Sequence, residues 1–361
     1  YQRLGRMAQC PIRFATIPAA VVRTLGQADS QATLKTLVAT ANGSGAQVIA
    51  AGVGQSQSMD SLARAGVDYV AGPAVARPVG VEAFAEMVRD LLTAKKIDPD
   101  FVAQIILLPS EQTLAQIIGH EVDVEAIHAA RERLRASIAT QTKDALLAAY
   151  DRMEVTGPYR PDADHAGRRA LRNVCLGYLS AAPGEEGIAL AAEQFRMADN
   201  MTDSIAALSV LSNIDCPERR EALDAFHERW KDDHLAMDKW FSIQAMSSLP
   251  GTLDEVKRLT GHPAFTMKNP NKVRALITSF AAVNQLHFHA KDGAGYRFIA
   301  DKVLELDKLN PQVGARMLGA FKSWRQMEPK RRKLMQKELK RIAGTEGLSR
   351  DVYEIATKTL A

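Results

Sequence analysis

The sequence has no long hydrophobic run. Across its 361 residues no stretch approaches the roughly 18 uninterrupted apolar residues that a membrane-spanning helix requires, so a helical membrane protein is not expected. Cysteine is scarce. Cys10, Cys175 and Cys216 are odd in number, widely spaced and without a CxxC pair, which fits neither a disulfide framework nor a zinc knuckle and points to a reducing, cytoplasmic setting. Charge of one sign is not in excess either: 46 Lys and Arg against 42 Asp and Glu leave a net +4. Nothing in that balance calls for a nucleic-acid partner. The first residue is Tyr1, and "YQRLGRMAQC" lacks the charged-then-apolar order of a signal peptide. The expectation is a chain that begins inside a longer reading frame, without an export signal.

What is present is an ordinary globular composition, 46% apolar and 24% charged, in a length that predicts two or three domains at about 150 residues each. The chain changes character near residue 80. Before it, "PIRFATI" (Pro11 to Ile17), "AQVIAAGV" (Ala46 to Val53) and "DYVAGPAV" (Asp68 to Val75) are short apolar runs bounded by Pro or Gly, the pattern of buried parallel strands. Between them "ATLKTLVATA" and "SMDSLARAG" have helical spacing, the second with Ser58 as N-cap and Gly66 as stop. The order is βαβαβ over residues 1–80. Three strands cannot close a (β/α)₈ barrel, so this is a partial α/β segment.

That segment resembles the last third of an EAL domain, the TIM-barrel fold that hydrolyses cyclic diguanylate, over residues 11–78. The carrying stretch is "RFATIPAAVV…VIAAGVGQSQSMDSLARAGVDYVAGPAVARP". Position by position, the family's lysine and aspartate fall on Thr16 and Pro18, its two glutamates on Ala51 and Gly54, and its glutamine on Ala71. Ala, Gly and Pro cannot hold metal ions or activate water, so the resemblance implies a degenerate domain without phosphodiesterase activity. The family's signature first strand is missing as well.

From residue 81 to 361 the apolar residues recur at spacings of three and four, as in "EAFAEMVRDLL", "DVEAIHAARERLRASIATQTKDALLAAYDRM", "PNKVRALITSFAAV" and "EPKRRKLMQKELKRI". Helix punctuation agrees: Asn269 before Pro270 and Asn310 before Pro311 pair an N-cap with proline at the first helical position, Thr252 with Glu255 reads as a capping box, and Gly261 and Gly344 follow helix ends. The fold class expected is therefore mostly α, an armadillo- or HEAT-like solenoid over 81–361 preceded by the small α/β segment.

Within the helical region "RRALRNVCLGYL", "FRMADNMTDSIAALSVL", "HPAFTMKNPNKVRALI" and "FHAKDGAGYRFIADKVLELDKLNPQVGARM" together resemble the C-terminal domain of bacterial aminopeptidase N, a zinc metallopeptidase, from about residue 82 to the end. The resemblance implies an all-helical cap that closes over a thermolysin-like catalytic domain and lines the cavity through which peptides reach the zinc. The chemistry itself is missing. Such enzymes need H-E-x-x-H on one helix, yet His120-Glu121 is followed three positions on by Val124 and His227-Glu228 by Lys231, and no G-x-M-E-N is present. No catalytic residue, metal ligand or cofactor is expected in this chain; zinc belongs to a catalytic domain that would be its partner, beside the peptide substrate, with no nucleic acid and no membrane. The alternative is a regulatory or scaffold protein that couples a catalytically dead cyclic diguanylate-binding fold to a helical solenoid.

The candidate binding residues are Asn271, Arg274, Gln312 and Arg316. In the helix starting at Pro270, Val273, Leu276, Ile277 and Phe280 form the stripe at i, i+3, i+4 and i+7, which leaves Asn271 and Arg274 on a flank. Gln312 and Arg316 stand one turn apart in a second helix of the same design. An arginine near a helix N-terminus opposes the macrodipole, at about 0.3–1 kcal/mol when exposed, so its placement needs a reason. The resemblance supplies one: positions matching Arg274, Gln312 and Arg316 line the inner cavity where the departing part of a peptide lies, and a guanidinium can hold its carboxylate. The competing reading is an arginine held in an inter-helix salt bridge. His287 and His289, spaced as H-x-H, read as hydrogen-bonded loop histidines, Met237, Trp240 and Phe241 as core, and the basic run "KSWRQMEPKRRKLMQKELKR" as a solvated helix face.

Overall fold

The computed structural model describes residues 14–17, 21–22, 28–43, 47–51, 53, 56–71 and 80–361. Of the positions matched to the EAL pattern, Pro18 and Gly54 lie outside these residues, as do the side chains of Thr16, Ala51 and Ala71; Ser58, read as an N-cap, lies inside a helix that starts at Ser56. The chain forms two compact units, residues 1–107 with 137–182 and residues 108–136 with 183–361.

The first unit begins with β1 (Phe14–Ile17), α1 (Ala28–Gly43), β2 (Gln47–Ala51), α2 (Ser56–Arg64) and β3 (Tyr69–Ala71). The strands pair in the order β1-β2-β3, both ladders parallel, with Phe14 opposite Gln47 and Ile49 opposite Tyr69. Parallel neighbours need crossovers, and α1 and α2 supply them. Ile17, Val22, Leu34, Val38, Val48 and Leu62 form a local core. Gly66 ends α2 at φ +81, where the Val67 N–H donates to the Leu62 carbonyl (3.1 Å) and the Gly66 N–H to that of Ala63 (3.0 Å). This is the paired bonding that a left-handed residue after a helix provides.

Helices follow: α3 (Val81–Thr93), α4 (Pro99–Ile106), α5 (Glu111–Ile118), α6 (Val124–Gln141), α7 (Lys143–Arg152) and α8 (Ala163–Leu179). The long periodic run expected over 123–153 breaks between α6 and α7. Thr142 turns both its N–H (2.9 Å) and its hydroxyl (2.8 Å) onto the Ile138 carbonyl, and such back-bonding competes with the helical ladder. The second unit, which takes in α5 and α6 as far as residue 136, continues with α9 (Glu186–Met197), α10 (Met201–Leu211), α11 (Pro217–Trp230), α12 (His234–Ala245) and α13 (Thr252–Leu259). Then comes α14, a helical run over 270–283 with the π-turn Arg274–Thr278 inside it. It is followed by α15 (Gln285–Phe288), α16 (Ala294–Leu309), α17 (Pro311–Met317), two 3₁₀ turns (Leu318–Phe321 and Trp324–Gln326), α18 (Pro329–Ala343) and α19 (Arg350–Leu360). Sequential pairs pack together, α9 on α10, α16 on α17 and α18 on α19, as expected of a helical solenoid.

The two Asn-Pro starts are caps. Asn269 Oδ1 accepts from the Asn271 N–H at 2.9 Å and Asn310 Oδ1 from the Val313 N–H at 3.4 Å, each with proline next in line. The capping box expected at Thr252 does not form. Gly251, at φ +82, is the N-cap. Thr252 lies inside the helix with its hydroxyl on the Leu249 carbonyl, and Glu255 is taken by Arg258. A glycine that can adopt the left-handed conformation displaced the side-chain cap.

Gly295, in the first turn of α16, allows a close backbone approach. A Cβ there would lie 2.4 Å from the Phe288 carbonyl oxygen and 2.9 Å from that of His287. Both atoms are backbone, so relief requires α15 and α16 to part. Gly295→Ala is expected to cost about 1–3 kcal/mol as overpacking. Urea unfolding of the variant measures it; a midpoint equal to the parent's would show that α15 yields freely.

Candidate functional site

Helix α14 carries the first pair of candidate residues. Val273, Leu276, Ile277 and Phe280 are fully buried as the spacing predicts, and Asn271 and Arg274 are exposed on the flank. The guanidinium of Arg274 donates to Asn271 Oδ1 at 3.1 Å. A π-turn at this point was not legible from periodicity. It coincides with Ser242 of α12 donating its hydroxyl to the Ala275 carbonyl (2.8 Å) and Ser279 donating to the Arg274 carbonyl (3.1 Å), an insertion into the i→i−4 ladder of the kind that bends helices. The same helix start is anchored by a residue that spacing did not single out. Lys272 is buried, with Nζ 2.8 Å from Asp238 Oδ1 and donating to the His234 carbonyl at 3.0 Å. Part of the "FTMKNPNKVR" stretch is therefore the attachment of α14 to α12.

Arg316 projects from the last turn of α17 into a cleft of about 360 Å³, whose lining includes Gln285, His289, Lys322, Ser323 and Gln326. No carboxylate lines it. Two other recesses of the second unit differ in this respect: one of about 620 Å³ beside Trp240 and Gln244 includes Asp215, Asp224, Asp254 and Glu255, and one of about 310 Å³ includes Glu111 and Glu132. Gln312 is exposed one turn before Arg316, and neither it nor Arg274 is part of the cleft lining, although Thr278, one turn beyond Arg274, is. Among the described residues, Arg274, Arg316 and Lys322 form no ion pair with a carboxylate. The inter-helix salt bridge that offered a structural reason for the arginines is thus not found there.

Behind the cleft lies a buried polar group. His289 is 1% exposed, with Nδ1 2.8 Å from the Tyr296 hydroxyl. Burial, and secondarily the charge of Arg331, pushes its pKa down to about 3, so the ring is neutral across the physiological range. The His289 carbonyl accepts from Arg331 Nε at 2.5 Å. Arg331 is itself fully buried; its Nη2 donates to Glu125 Oε1, and its Nη1 lies 3.6 Å from Glu328 Oε1. This corrects the reading of the basic run as a solvated face: Arg331 is core, because three oxygens converge on it, while Lys330, Lys333, Lys337 and Lys340 are exposed. His287 is hydrogen-bonded as expected, its Nε2 2.9 Å from the Ser248 carbonyl oxygen, but it lies in the short helix α15 and not in a loop. The two histidines therefore serve different partners. Trp240 is core, its indole N–H donating to the Leu223 carbonyl at 3.0 Å, and Met237 and Phe241 are buried beside it. Among the described residues no three His, Cys, Asp or Glu side chains are grouped to hold a metal, and no single helix is long and apolar enough to cross a membrane.

Gln285, His289, Arg316 and Lys322 come from three stretches of chain, so their convergence had no signature in spacing. Lys322 lay within the run read as a solvated face.

The family described as "Domain of unknown function (DUF3458_C) ARM repeats" matches residues 54–361, and the EAL domain family matches residues 1–78. Aminopeptidase N of Caulobacter vibrioides is 40% identical over 282 residues, 78% of this chain and 33% of that protein. Aminopeptidase N of Escherichia coli is 37% identical over 290 residues, 80% of this chain and 33% of its own length. Among solved structures, Legionella pneumophila aminopeptidase A in complex with aspartic acid superposes with a TM-score of 0.71 at 32% identity, covering 77% of this chain and 33% of that one. The chain thus spans about one third of the length of the relatives it matches. With more than four-fifths of its residues matched by one helical-repeat description, the chain belongs to the DUF3458_C ARM-repeat family.

Proposed function

We propose that this chain is the non-catalytic helical cap of an aminopeptidase N-type zinc peptidase, lining the peptide-access cavity on the side of the departing peptide. The observation that carries the reading is a cationic cleft free of carboxylates at Arg316, in a chain 40% identical to one third of an aminopeptidase N. Zinc does not fit this chain: neither His-Glu pair closes into H-E-x-x-H, so the metal and the hydrolytic step belong to a catalytic partner, and the chain's own part is to bind and orient. Arg316, with Arg274, Gln312 and Asn271 along the neighbouring helix starts, offers permanent charge to a peptide carboxylate. The setting expected for this assembly is the cytoplasm.

The test is Arg316→Ala in the chain joined to a catalytic domain. Short peptides should lose more kcat/KM than an uncharged anilide, because only the peptide carries a carboxylate. The difference is about 1.5–3 kcal/mol if the pair is desolvated, and less in a wet cleft. Equal losses would assign the arginine to architecture. The EAL match over residues 1–78 favours a second reading, a scaffold that binds cyclic diguanylate without turnover. Equilibrium dialysis with the labelled dinucleotide decides it, since the cap reading predicts no retention.

A further inference from the structure

We propose that the recess between α11, α12 and the start of α13 is a binding site for a free α-amino acid, taken up as a zwitterion with its side chain against Trp240. The recess shares no lining residue with the cleft at Arg316, and the proposal stands whether or not the chain caps a peptidase. Asp224 and the amide oxygen of Gln244 hold the ammonium, and Arg220 with Arg219 the carboxylate.

The ligand class follows from the charges that face the recess. Its volume of about 620 Å³ falls in the range of small-ligand sites, about 300–1,000 Å³. Part of its charge is already matched: Asp254 pairs with Lys257 at 3.0 Å, and Glu255 accepts from Arg258 Nε at 2.8 Å. What is left in the lining is Asp215 and Asp224 against Arg219 and Arg220, equal in the two signs. Arg220 and Asp224 stand one turn apart on α11, where Cβ atoms are about 5–6 Å apart and opposite charges can meet. Arginine before the acid is the weaker order for such a pair. Among the described residues neither side chain forms an ion pair or a hydrogen bond, and both are exposed. A simple anion would satisfy only the arginine, and a simple cation only the carboxylate. An α-amino acid carries both charges on one carbon and spans the turn.

The inner wall points the same way. Gln244 is 4% exposed, and its Nε2 donates to the Trp240 carbonyl at 3.1 Å. Its Oε1 accepts no hydrogen bond among the described residues, although the residue lines the recess. A nearly buried acceptor without a donor is unfavourable, and an ammonium, with three donors, supplies one to Gln244 and another to Asp224. Arg219 spends its Nε on the Ser212 carbonyl at 3.3 Å, which leaves its terminal nitrogens for a carboxylate. The indole N–H of Trp240 is turned to the Leu223 carbonyl. Its ring therefore offers area and no polar group, and with Leu249 and Pro250 it makes an apolar wall that favours a side chain such as leucine's.

The experiment uses the whole chain and three probes: leucine, leucine amide, which lacks the carboxylate, and N-acetylleucine, which lacks the ammonium. Affinities are read by ligand-observed NMR at low ionic strength. Leucine should bind about tenfold more tightly than either analogue. The double variant Arg220→Gln, Asp224→Asn leaves the net charge unchanged and should bind all three probes alike. Both positions are exposed, so its urea midpoint should equal the parent's. If it does not, Asp224→Asn alone serves, and should bind leucine no better than N-acetylleucine. Equal binding of the three probes by the parent, a zwitterion preference that survives these substitutions, or no binding of leucine at millimolar concentrations would each overturn the site.

Discussion

Replacing Arg331 with methionine is expected to destabilise the second unit by about 3–5 kcal/mol, the usual cost of removing one partner from a buried charged group. The guanidinium is fully buried and joins three separate stretches of chain: the His289 carbonyl, Glu125 at the start of α6, and Glu328 before α18. An isolated β-bridge between Val122 and Met327 lies beside it, so losing the arginine also loosens that seam. Glu125 Oε2 is already buried without a hydrogen-bond partner, and without Arg331 the whole carboxylate would lack its main counter-charge. Replacing both partners with uncharged groups is far less costly than removing one, so Glu125→Gln in the Arg331→Met background should recover part of the loss. All three tryptophans, Trp230, Trp240 and Trp324, lie in the second unit, and urea unfolding followed by their fluorescence therefore reports this unit. A loss under 1 kcal/mol would mean that the buried network does not hold the unit together.

Acid should unfold the same unit early, through His289. Its folded pKa of about 3 lies below the unfolded value near 6.5, so the unfolded chain binds more protons in between. Stability is therefore complete above about pH 6.5 and falls as the pH drops towards 3. By linkage the loss from this one group is about 2 kcal/mol at pH 5 and about 3 kcal/mol at pH 4. The physical cause is burial, with the Arg331 charge adding to it. His289→Gln removes the titration, so the stability difference between pH 7.5 and pH 5 should shrink by about 2 kcal/mol relative to the parent. Parallel pH profiles for parent and variant would place the acid sensitivity elsewhere, for example in the paired carboxylates.

These two groups also mark the limit of what the sequence disclosed. Periodicity of three and four was enough for the helices and for the buried stripe of α14, because each residue's burial there depends on its own helix face. The Asn-Pro starts were legible for the same local reason: cap and proline act on backbone groups two or three residues away. Arg331 was not legible. Its burial depends on Glu125, 206 residues earlier, and on the His289 carbonyl, and no local pattern distinguishes it from its exposed neighbours Lys330 and Lys333. Lys272 escaped notice likewise, since Asp238 and the His234 carbonyl come from another helix. The capping box at Thr252 failed because Gly251 could take a left-handed conformation that the Thr-x-x-Glu pattern does not reveal. As for the candidate site, the spacing placed Arg274 beside Asn271 and Gln312 one turn before Arg316. That Arg316 alone of these lines the cleft, together with Lys322 and His289, depends on how α14, α15 and α17 pack, which is tertiary information.

The central claim, that the chain caps a zinc aminopeptidase, is tested most directly by mixing it with the part of Caulobacter aminopeptidase N that it does not match, about two thirds of that protein. Analytical ultracentrifugation of the mixture should show a one-to-one complex, formed by the parent chain and equally by the Arg316→Ala variant, whose change lies in the cleft of about 360 Å³. Two species that sediment independently at micromolar concentrations of each would contradict the account.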